Sequence, residues 1–496
     1  MNAAAMLRGA PLAAPHRYQM TLPAWTAFAE ALLHGPALDF LGLWAEPGLV
    51  NAAFRDGPEL RVASLAVPDG RYPALSPARP AAAWFERAAA DLHGLVAEGA
   101  ADHRAWLDHG RWPLAHPLGA APHRQGGEPP QPEWAPPPGE DVHQYPLGPV
   151  LPGAGPAHLR LHLRGERVLK LEARLGYGHQ GVEAALVGQG PRAGARMVAR
   201  ISAEAAVAHG WAFAQAVEAA TGTVPPPRAI LLRAVMAELE RLRCHLSDWG
   251  GTAGAVGLDQ PRARCAVLGE GLLRAQEAAF GQRWLLDAVV PGGVALDLAP
   301  EGTAALQAAL DPVERALPAL QALQDRHVGL QDRLGGAVPL GGAQAMVLAT
   351  GGIAGRAAGR DVDLRRDLPY QPYPGFAFAI PNAQSGDAEA RMRLRLREMP
   401  ESLGLIRAAL ARLEPGPLLA PVPAMPGEGI AMVEGPRGDV LHWVALDEAG
   451  LIRAAFPRDA AWGHVPVLEA GMAGRPFGEW PVALASINPS LEGADL

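Results

Sequence analysis

The chain has 496 residues, which is enough for two or three domains of ordinary size. About half of the residues are apolar (49%) and 19% are charged, as is typical of a soluble globular protein with a sizeable core. The formal net charge of −8 indicates no basic surface for nucleic acid, so we expect no nucleic-acid partner.

The first 118 residues are expected to form an α+β domain. Leu49–Phe54 and Glu59–Val67 alternate apolar and polar side chains, which is typical of strands. Arg79–Ala97 has a helix-forming composition with one apolar face. Residues 119–147 are rich in proline, glycine and charge and cannot build a core. We expect them to form a linker or a strap that lies on a surface.

Residues 148–496 are expected to form a second, mainly α-helical domain with small β-hairpins. One hairpin is predicted at 158–174, and another begins at Gly429 and turns at 435–438. Residues 334–355 are uncharged but rich in glycine, so we interpret them as a buried segment with turns rather than a membrane span. Alanine- and leucine-rich helices are predicted at about 195–221, 227–250, 260–285, 301–330 and 386–413.

General motifs indicate no active site. The chain has no GxGxxG spacing after a strand, no HExxH and no GxSxG. Cys244 and Cys265 are not spaced as a Cys-Cys metal pair. We predict that both are packed thiols of a protein in a reducing, cytoplasmic setting.

Several segments of the second domain nevertheless follow the motif order of one family. LGYGHQGVEAAL (175–186) resembles LGYxHRGxEK, and VPPPRAILLRAVMAELERLRCHLSDWGG (from residue 224) resembles VPxRAxxLRxxxxELERLxxHLxDxG. GGIAGRAAGRDVDLRRDLPYQPY, VEGPRGDVLHWV and ALASINPSLEGADL are similar to GxxARASGxxxDxRRDxPYxxY, ExPRGExxHY and IASIDPCxxC. These motifs belong to the large subunit shared by energy-converting nickel–iron hydrogenases and respiratory complex I. The resemblance covers nearly all of residues 148–496.

The first domain is similar to the 30-kilodalton-type subunit of complex I, through residues 72–95 and the WPLAHPL segment that follows. In hydrogenlyase-type enzymes that subunit is fused ahead of the large subunit, as it is here. The resemblance implies an oxidoreductase complex at the cytoplasmic membrane, with this chain peripheral to it on the cytoplasmic side. The implied partners are a 20-kilodalton-type iron–sulfur subunit, a ferredoxin-like subunit and membrane antiporter-like subunits.

The metal ligands of that family are missing from this sequence. In active relatives the segment that matches residues 200–209 reads RVCGICSFSH, its two thiolates hold nickel, and a second CxxC pair near the C-terminus completes the site. The resemblance places those four cysteines at Ser202, Ala205, Ser490 and Gly493. None of these residues offers a soft thiolate ligand. We therefore expect no nickel–iron centre, no bound metal and no nickel-dependent hydrogen chemistry in this chain.

The quinone-binding residues of complex I do not carry over either. The resemblance places an aspartate and a tyrosine at Ser202 and Ala203, and a histidine at Leu151. We expect the chain itself to bind no cofactor. A quinone site at the interface with a partner stays open, and NAD and iron–sulfur clusters would belong to other subunits.

Two residues are candidates for proton chemistry at the former metal or quinone cavity. Glu183 matches a proton-relay glutamate of active relatives; the alternative is a helix-start carboxylate that caps the helix or pairs with an arginine. His209 follows the first cysteine pair of the motif. It either protonates near neutrality or is a satisfied core histidine.

Two further candidates are charged. Glu204 is new relative to the motif, and it points to a partner arginine, to a retained water-filled path, or to the solvent face of its helix. Arg437 lies in the Pro-Arg-Gly turn near the cavity; the alternative role is an ion pair with Glu434 or Asp439.

Other charged residues are expected to be structural. The run from Arg391 to Glu398 is interpreted as a solvated helix face, with contact to an acidic partner subunit as the alternative. His179 and His245 are predicted to pack and to form hydrogen bonds.

Two hypotheses for the function follow. In the first, the chain belongs to a membrane-associated electron-transfer complex and its cavity accepts a quinone-like molecule beside a partner's iron–sulfur cluster. In the second, the site is inactive. The chain then holds the iron–sulfur partner and couples it to the membrane arm.

Overall fold

The structure is a computed structural model, and it describes residues 2–35, 38–124, 126–128, 133–151 and 155–496. The helices of the first unit are α1 (Ala3–Gly9), α2 (Leu22–Leu33) and α3 (Ala82–His93). Its strands are β1 (Leu12–Ala14), β2 (Arg17–Met20), β3 (Asp39–Glu46), β4 (Leu49–Asp56), β5 (Glu59–Ala66), β6 (Arg71–Pro73), β7 (Val96–Glu98), β8 (Leu114–Ala115) and β9 (His123–Arg124).

A mixed sheet with the strand order β1-β2-β5-β4-β3 organises the first unit. The two strands predicted from alternating side chains are β4 and β5, which form an antiparallel hairpin, so this prediction is confirmed. The predicted helix over 79–97 is shorter and ends at His93. It ends there because Gly94 adopts the left-handed conformation (φ 74°), which terminates helices and favours glycine.

The second unit begins with strands β10 (His143–Leu147), β11 (Val150–Leu151), β12 (Gly155–Pro156), β13 (His158–Arg164) and β14 (Arg167–Arg174). Its helices are α4 (Val182–Leu186), α5 (Pro191–Val198), α6 (Ala206–Thr221), α7 (Pro227–Ala255), α8 (Asp259–Phe280), α9 (Gly302–Arg326), α10 (Val328–Leu334), α11 (Gly342–Val347), α12 (Gly352–Ala357), α13 (Leu364–Asp367), α14 (Ala388–Ala411), α15 (Ala461–Met472), α16 (Trp480–Ile487) and α17 (Leu491–Asp495). Later strands are β15 (Val289–Val290), β16 (Gly293–Val294), β17 (Gly427–Glu434), β18 (Asp439–Leu446) and β19 (Ile452–Arg458).

The second unit is mainly helical with small hairpins, as predicted. The hairpin β13–β14 and the C-terminal hairpin β17–β18 both form, and β19 extends the latter to three strands. Helix α7 spans 29 residues and begins with Pro227 in its first turn, a position where proline is tolerated. Helices α8 and α14 pack along α7, and α6 packs on β17 and β18.

The predicted helix over 195–221 is two helices, α5 and α6, separated by a loop at 199–205. The amides of Val207 and Ala208 donate to the carboxylate of Glu240 on α7 (2.8 and 3.2 Å). This carboxylate satisfies the free amides at the start of α6, so the helix begins at Ala206 instead of continuing from α5. Burial raises the pKa of Glu240 to about 7 despite these two hydrogen bonds.

The segment at 334–355 contains the short helix α11 and turns. The predicted turns are confirmed, but the segment is only partly buried, since Met346 and Val347 of α11 are exposed. Among the residues that the structure describes, no helix is both long and apolar enough to cross a membrane.

The predicted linker over 119–147 ends in a strand. Strand β10 pairs with β13, from His143 opposite Leu163 to Leu147 opposite Leu159, so it belongs to the sheet of the second unit. Before it, the ring of Trp134 lies 4.7 Å from the guanidinium of Arg160 on β13. This part of the segment is therefore a strap on the surface of the sheet.

The two units share one continuous apolar core. The ring of Trp44 on β3 stacks on Phe456 of β19 with centroids 4.7 Å apart, and Phe85 of α3 stacks on Trp462 of α15 at 4.2 Å. Such aromatic pairs bury large apolar surfaces, so the first unit is packed firmly on the end of the second.

Candidate functional site

Four separate segments meet at one small cavity. They are the loop before α6, the turn between β17 and β18, the start of α15 and the turn before α17. The cavity has a volume of about 10 Å³, which is room for roughly one water molecule. Its walls include Ser202, Glu204, Ala205, Arg437, Asp459, His464 and Ser490. The structure thus brings together three of the four positions at which the resemblance places thiolates.

The fourth position, Gly493, lies on α17, where its amide donates to Ser490 Oγ at 3.3 Å. A Cβ added at Gly493 would lie 2.5 Å from Cγ of Asp459, which is closer than real carbon atoms approach. The carboxylate of Asp459 therefore fills the space that a side chain at 493 would need. No thiolate fits there without a rearrangement.

The residues present do not fit a nickel–iron centre. Serine, alanine and glycine at the four ligand positions supply no soft ligand, and the remaining space is about one water molecule. Within the described ranges no group of three or more histidine, cysteine, aspartate or glutamate side chains is arranged to hold a metal ion. The cavity is also far smaller than the ~300–1,000 Å³ of typical ligand pockets, so a quinone ring does not fit in it.

Arg437 is anchored by a carboxylate that the sequence analysis did not single out. Its guanidinium pairs with Asp248 of α7 at 2.9 Å and with Glu204 at 3.6 Å. The predicted pairing with Glu434 or Asp439 is wrong. Those two residues face each other across the hairpin and pair with other arginines, whereas the turn carries Arg437 beyond the strand ends toward α7.

Asp248 is fully buried between two guanidiniums, those of Arg437 and Arg395. Burial alone would raise the pKa of Asp248, but the two arginines outweigh it and hold the pKa at about 2. The amide of Asn488 also donates to this carboxylate at 2.7 Å. Asp248 is therefore ionised at neutral pH and fixes the wall of the cavity.

The predicted pairing of Glu204 with an arginine is found, whereas its predicted position on the solvent face of a helix is wrong. Its carboxylate pairs with Arg437, and its side chain stays 38% exposed. It lies in the loop before α6 rather than on a helix face. Glu204 is the point where the cavity wall reaches solvent.

His209 does not line the cavity directly but connects to it through Asp459. Its Nε2 is 2.9 Å from Asp459 Oδ2 and its Nδ1 is 3.0 Å from Nε2 of His442, all in the buried interior. With Asp459 ionised, His209 donates to it through Nε2, and Nδ1 of His209 shares a hydrogen bond with Nε2 of His442. Burial lowers the pKa of His442 well below its usual value, which keeps that ring neutral. The prediction of a satisfied core histidine is confirmed.

Glu183 lies outside this cavity, so its expected place in the cavity wall is wrong. It begins α4 and faces a separate, mostly apolar pocket between the two units, together with His93, His179 and Trp462. Among the described residues it has no ion pair or hydrogen bond, which also contradicts the capping or arginine-paired alternative. Burial raises its pKa to about 8. A proton path through Glu183 stays a prediction.

The charge run on α14 is mostly buried, which contradicts the predicted solvated face. Arg391, Arg395 and Glu398 are each at most 2% exposed because this face of α14 packs on α7. Glu398 accepts from Nε2 of His245 at 2.8 Å and pairs with Arg356. The predicted hydrogen-bonding role of His245 is confirmed.

The remaining sequence predictions concern buried polar groups. His179 Nδ1 lies 2.6 Å from the carbonyl oxygen of Asp495, and its ring stacks on Trp112, as expected for a packing residue. Cys244 and Cys265 are both free and buried, as predicted. Burial raises the pKa of each thiol to about 12, so neither is reactive at neutral pH.

Sequence reasoning missed Asp248, Asp459 and His464. Asp248 stood in a quoted motif, as the aspartate of HLSDWGG, and could have been found there. Asp459 and His464 belong to no pattern in the sequence. His464 lines the cavity, its Nε2 has no partner within the described residues, and burial lowers its pKa to about 4.

Comparison with known families identifies both units. Residues 264–426 match the model described as "Respiratory-chain NADH dehydrogenase, 49 Kd subunit". Residues 50–124 match "Respiratory-chain NADH dehydrogenase, 30 Kd subunit". The chain therefore contains both types in one polypeptide.

Individual relatives come from two groups of complexes. NADH-quinone oxidoreductase subunit 4 of Thermus thermophilus is 32% identical over 70% of this chain and 93% of its own length. Hydrogenase-4 component G of Escherichia coli is 27% identical over 86% of this chain and 76% of its own length. A chain from the structure of the membrane-bound sulfane sulfur reductase, an archaeal respiratory membrane complex, superimposes with a TM-score of 0.68 at 24% identity, over 72% of this chain and 99% of that one. This last likeness shows the fold.

Proposed function

We propose that this chain, which belongs to the family of 49 kDa-type subunits of respiratory-chain NADH dehydrogenase, is a non-catalytic subunit of a membrane-associated electron-transfer complex. In this role it holds an iron–sulfur partner and couples it to the membrane arm. Relatives in this family are subunits of NADH-quinone oxidoreductases and of hydrogenases. In this role the chain occupies the same position in the complex as its relatives but carries out no metal chemistry.

The single observation that carries the proposal is the closure of the former metal site. Asp459 occupies the side-chain space at Gly493, and the cavity that remains has room for about one water molecule. The wall of this cavity is held by the buried ion pair of Arg437 with Asp248 and by the buried hydrogen bond between His209 and Asp459. A site that is filled and held by such polar contacts is rigid and leaves no room for a substrate.

The partners are inferred from the similarity to respiratory and hydrogenase complexes. We infer a 20-kilodalton-type iron–sulfur subunit, a ferredoxin-like subunit and membrane antiporter-like subunits. The chain would then be peripheral to the membrane on its cytoplasmic side. It would bind no cofactor itself, and NAD and iron–sulfur clusters would be held by the other subunits.

A second candidate function is supported by Glu204. This carboxylate is 38% exposed and lies next to the buried cavity, so it offers a contact between solvent and the Asp459–His209 pair. In that case the site would exchange protons beside a quinone-like acceptor bound between this chain and the iron–sulfur partner.

One experiment distinguishes the two functions. The complex is purified through a tag on this chain, and reduction of a quinone analogue is measured for the wild type and for Ser202→Ala/Glu204→Ala. An unchanged rate with unchanged subunit content supports the non-catalytic role. A loss of at least tenfold with intact assembly supports the second function. Glu448→Ala, which removes an exposed carboxylate from the β18–β19 turn, is the matched control.

A further inference from the structure

A groove of about 700 Å³ lies between α7, α8 and α16. We call it the Arg243 groove; it is lined by Arg243, Asp248, Gly251, Arg262, Gly269 and Trp284, among others. Asp248 forms part of its floor and also holds Arg437 in the wall of the closed cavity. The groove and the former metal site therefore share one buried carboxylate.

Two of the guanidiniums that line the groove form no ion pair among the described residues. Glu270 and Asp248 line it too, but Glu270 pairs with Arg274 and Arg283, and Asp248 pairs with Arg437. Arg243 and Arg262 have no carboxylate within 4.0 Å among the described residues. In a chain with a formal net charge of −8, two unpaired guanidiniums in one groove mark a place for a negatively charged ligand.

The floor of the groove is open where the helices carry glycine. A Cβ added at Gly251 of α7 or at Gly269 of α8 would meet nothing within 4 Å. By contrast, a Cβ at the neighbouring Gly250 would lie 2.9 Å from Cβ of Cys265, so that glycine is needed for α7 to pack on α8. Glycine is unfavourable inside a helix, and nothing within this chain explains it at Gly251 and Gly269. The two positions leave room for the close approach of another backbone.

An aromatic side chain stands at the rim. Trp284 is 43% exposed, and the guanidinium of Arg243 lies 4.9 Å from the centre of its ring. Tryptophan and arginine are among the residue types enriched at the energetic centres of protein interfaces. The stacking also holds the Arg243 guanidinium in place, so it is prepared to receive a carboxylate.

We propose that the Arg243 groove binds an acidic segment of a partner protein chain, whose carboxylates pair with Arg243 and Arg262 while its backbone crosses Gly251 and Gly269. This inference rests on the proposed function, because it assumes that the chain works inside a complex. It adds where the partner docks and what chemistry the docking segment has. The open glycine floor favours a polypeptide over a small anion, since a small anion needs only the two guanidiniums.

The contact would also reach the closed cavity. Asn488, another residue of the groove, donates to Asp248 at 2.7 Å. A partner segment seated on these side chains would restrain the ion pair between Asp248 and Arg437. A partner bound in the groove would thus affect the wall of the closed cavity through Asp248 and Arg437.

The test uses the complex purified from membranes through a tag on this chain, with a photo-crosslinking amino acid at Ser247 or Ala266. Both positions line the groove and are exposed. We expect the crosslinked partner peptide to contain several aspartate or glutamate residues. A crosslinked peptide rich in lysine and arginine, or no crosslink from either position, overturns the proposal.

Variants provide a second measurement. Gly251→Leu and Arg243→Glu/Arg262→Glu should each reduce the retained amount of the crosslinked partner at least tenfold. Gly404→Leu, at an equally open glycine of α14, and Arg315→Glu, at an exposed arginine of α9, should leave it unchanged. If the groove variants retain the full set of subunits, the groove is not the docking site although the proposed function stands. If the wild-type chain is isolated without partners, the proposed function fails as well.

Discussion

The carboxylate of Asp459 accepts a hydrogen bond from Nε2 of His209 at 2.9 Å in the buried interior. The same carboxylate occupies the space that a side chain at Gly493 would need. Asp459 thus fills the space beside Gly493 and also makes a polar contact with His209 in the core. Because a buried carboxylate needs a partner, His209 and Asp459 depend on each other.

Restoring a thiol at the fourth ligand position should destabilise the protein. Gly493→Cys places a Cβ 2.5 Å from Cγ of Asp459, and such overpacking typically costs about 1–3 kcal/mol. Urea denaturation should show this loss of unfolding free energy. In a protein that already carries Asp459→Ala, adding Gly493→Cys should cost less than it does in the wild type, because the crowding carboxylate is gone. The control Gly404→Cys has open space around its Cβ and should be close to neutral. Equal stability of Gly493→Cys and the wild type would contradict the crowded geometry.

Removing the charge of Asp248 should be among the most damaging single changes at the site. Asp248→Asn leaves Arg437 and Arg395 without this carboxylate, and breaking such a buried pair typically costs about 3–5 kcal/mol. The loss should appear in the free energy of unfolding measured with urea at neutral pH. Asp297→Asn, which breaks a more exposed pair with Arg228, should cost about 1 kcal/mol or less.

The pKa of Asp248 also predicts a pH dependence. Its folded-state pKa of about 2 lies below the ordinary value near 3.9, so its stabilisation is complete above the ordinary value and is lost as pH falls toward 2. The free energy of unfolding, measured as a function of pH, should therefore fall less steeply in this window for Asp248→Asn than for the wild type. The same slope in both proteins would show that Asp248 is not the carboxylate responsible.

Glu183 should show the opposite behaviour. Burial raises its pKa to about 8, so the folded state favours the neutral carboxyl and loses stability as pH rises from the ordinary value toward 8. For one proton of difference between the two states, the slope in this range approaches about 1.4 kcal/mol per pH unit. Glu183→Gln should remove this slope and raise the melting temperature at pH 8. If the unfolding free energy of the wild type instead rises over this pH range relative to that of Glu183→Gln, the Glu183 carboxyl is not buried without a partner.

The contact between the two units is expected to be essential for stability. Phe85 stacks on Trp462 across the boundary, and replacing a buried phenylalanine by alanine typically costs about 3–5 kcal/mol. Phe85→Ala should lower the melting temperature and expose the segment between the units to protease. Leu22→Ala, at a 54% exposed position, is the control and should change neither property.

The sequence was sufficient where local pattern determines structure. Alternating side chains predicted β4 and β5, and the resemblance to the family motifs predicted that Ser202, Ala205 and Ser490 lie near one another. The spacing of the charged residues on α14 also indicates a shared helix face. Arg391, Arg395 and Glu398 are separated by four and three residues, which puts them on one helix face, and that face is buried against α7.

Tertiary contacts explain what the sequence did not predict. Helix α6 begins at Ala206 because Glu240, on another helix, caps it. Arg437 lies close in sequence to Glu434 and Asp439 but pairs with Asp248, which is 189 residues away. Glu183 stands in a family motif, yet the pocket around it is formed partly by the first unit, including His93. In each case the decisive neighbour comes from a distant part of the chain.

The central claim is that the site at Ser202, Ala205, Ser490 and Gly493 is closed and holds no nickel. Metal content tests this claim most directly. The complex is purified through a tag on this chain from cells grown with nickel, and nickel and iron are counted per chain together with hydrogen evolution from a low-potential donor. We predict nickel far below one per chain, iron only from partner clusters, and no hydrogen evolution. Nickel at one per chain with hydrogen evolution would contradict the account.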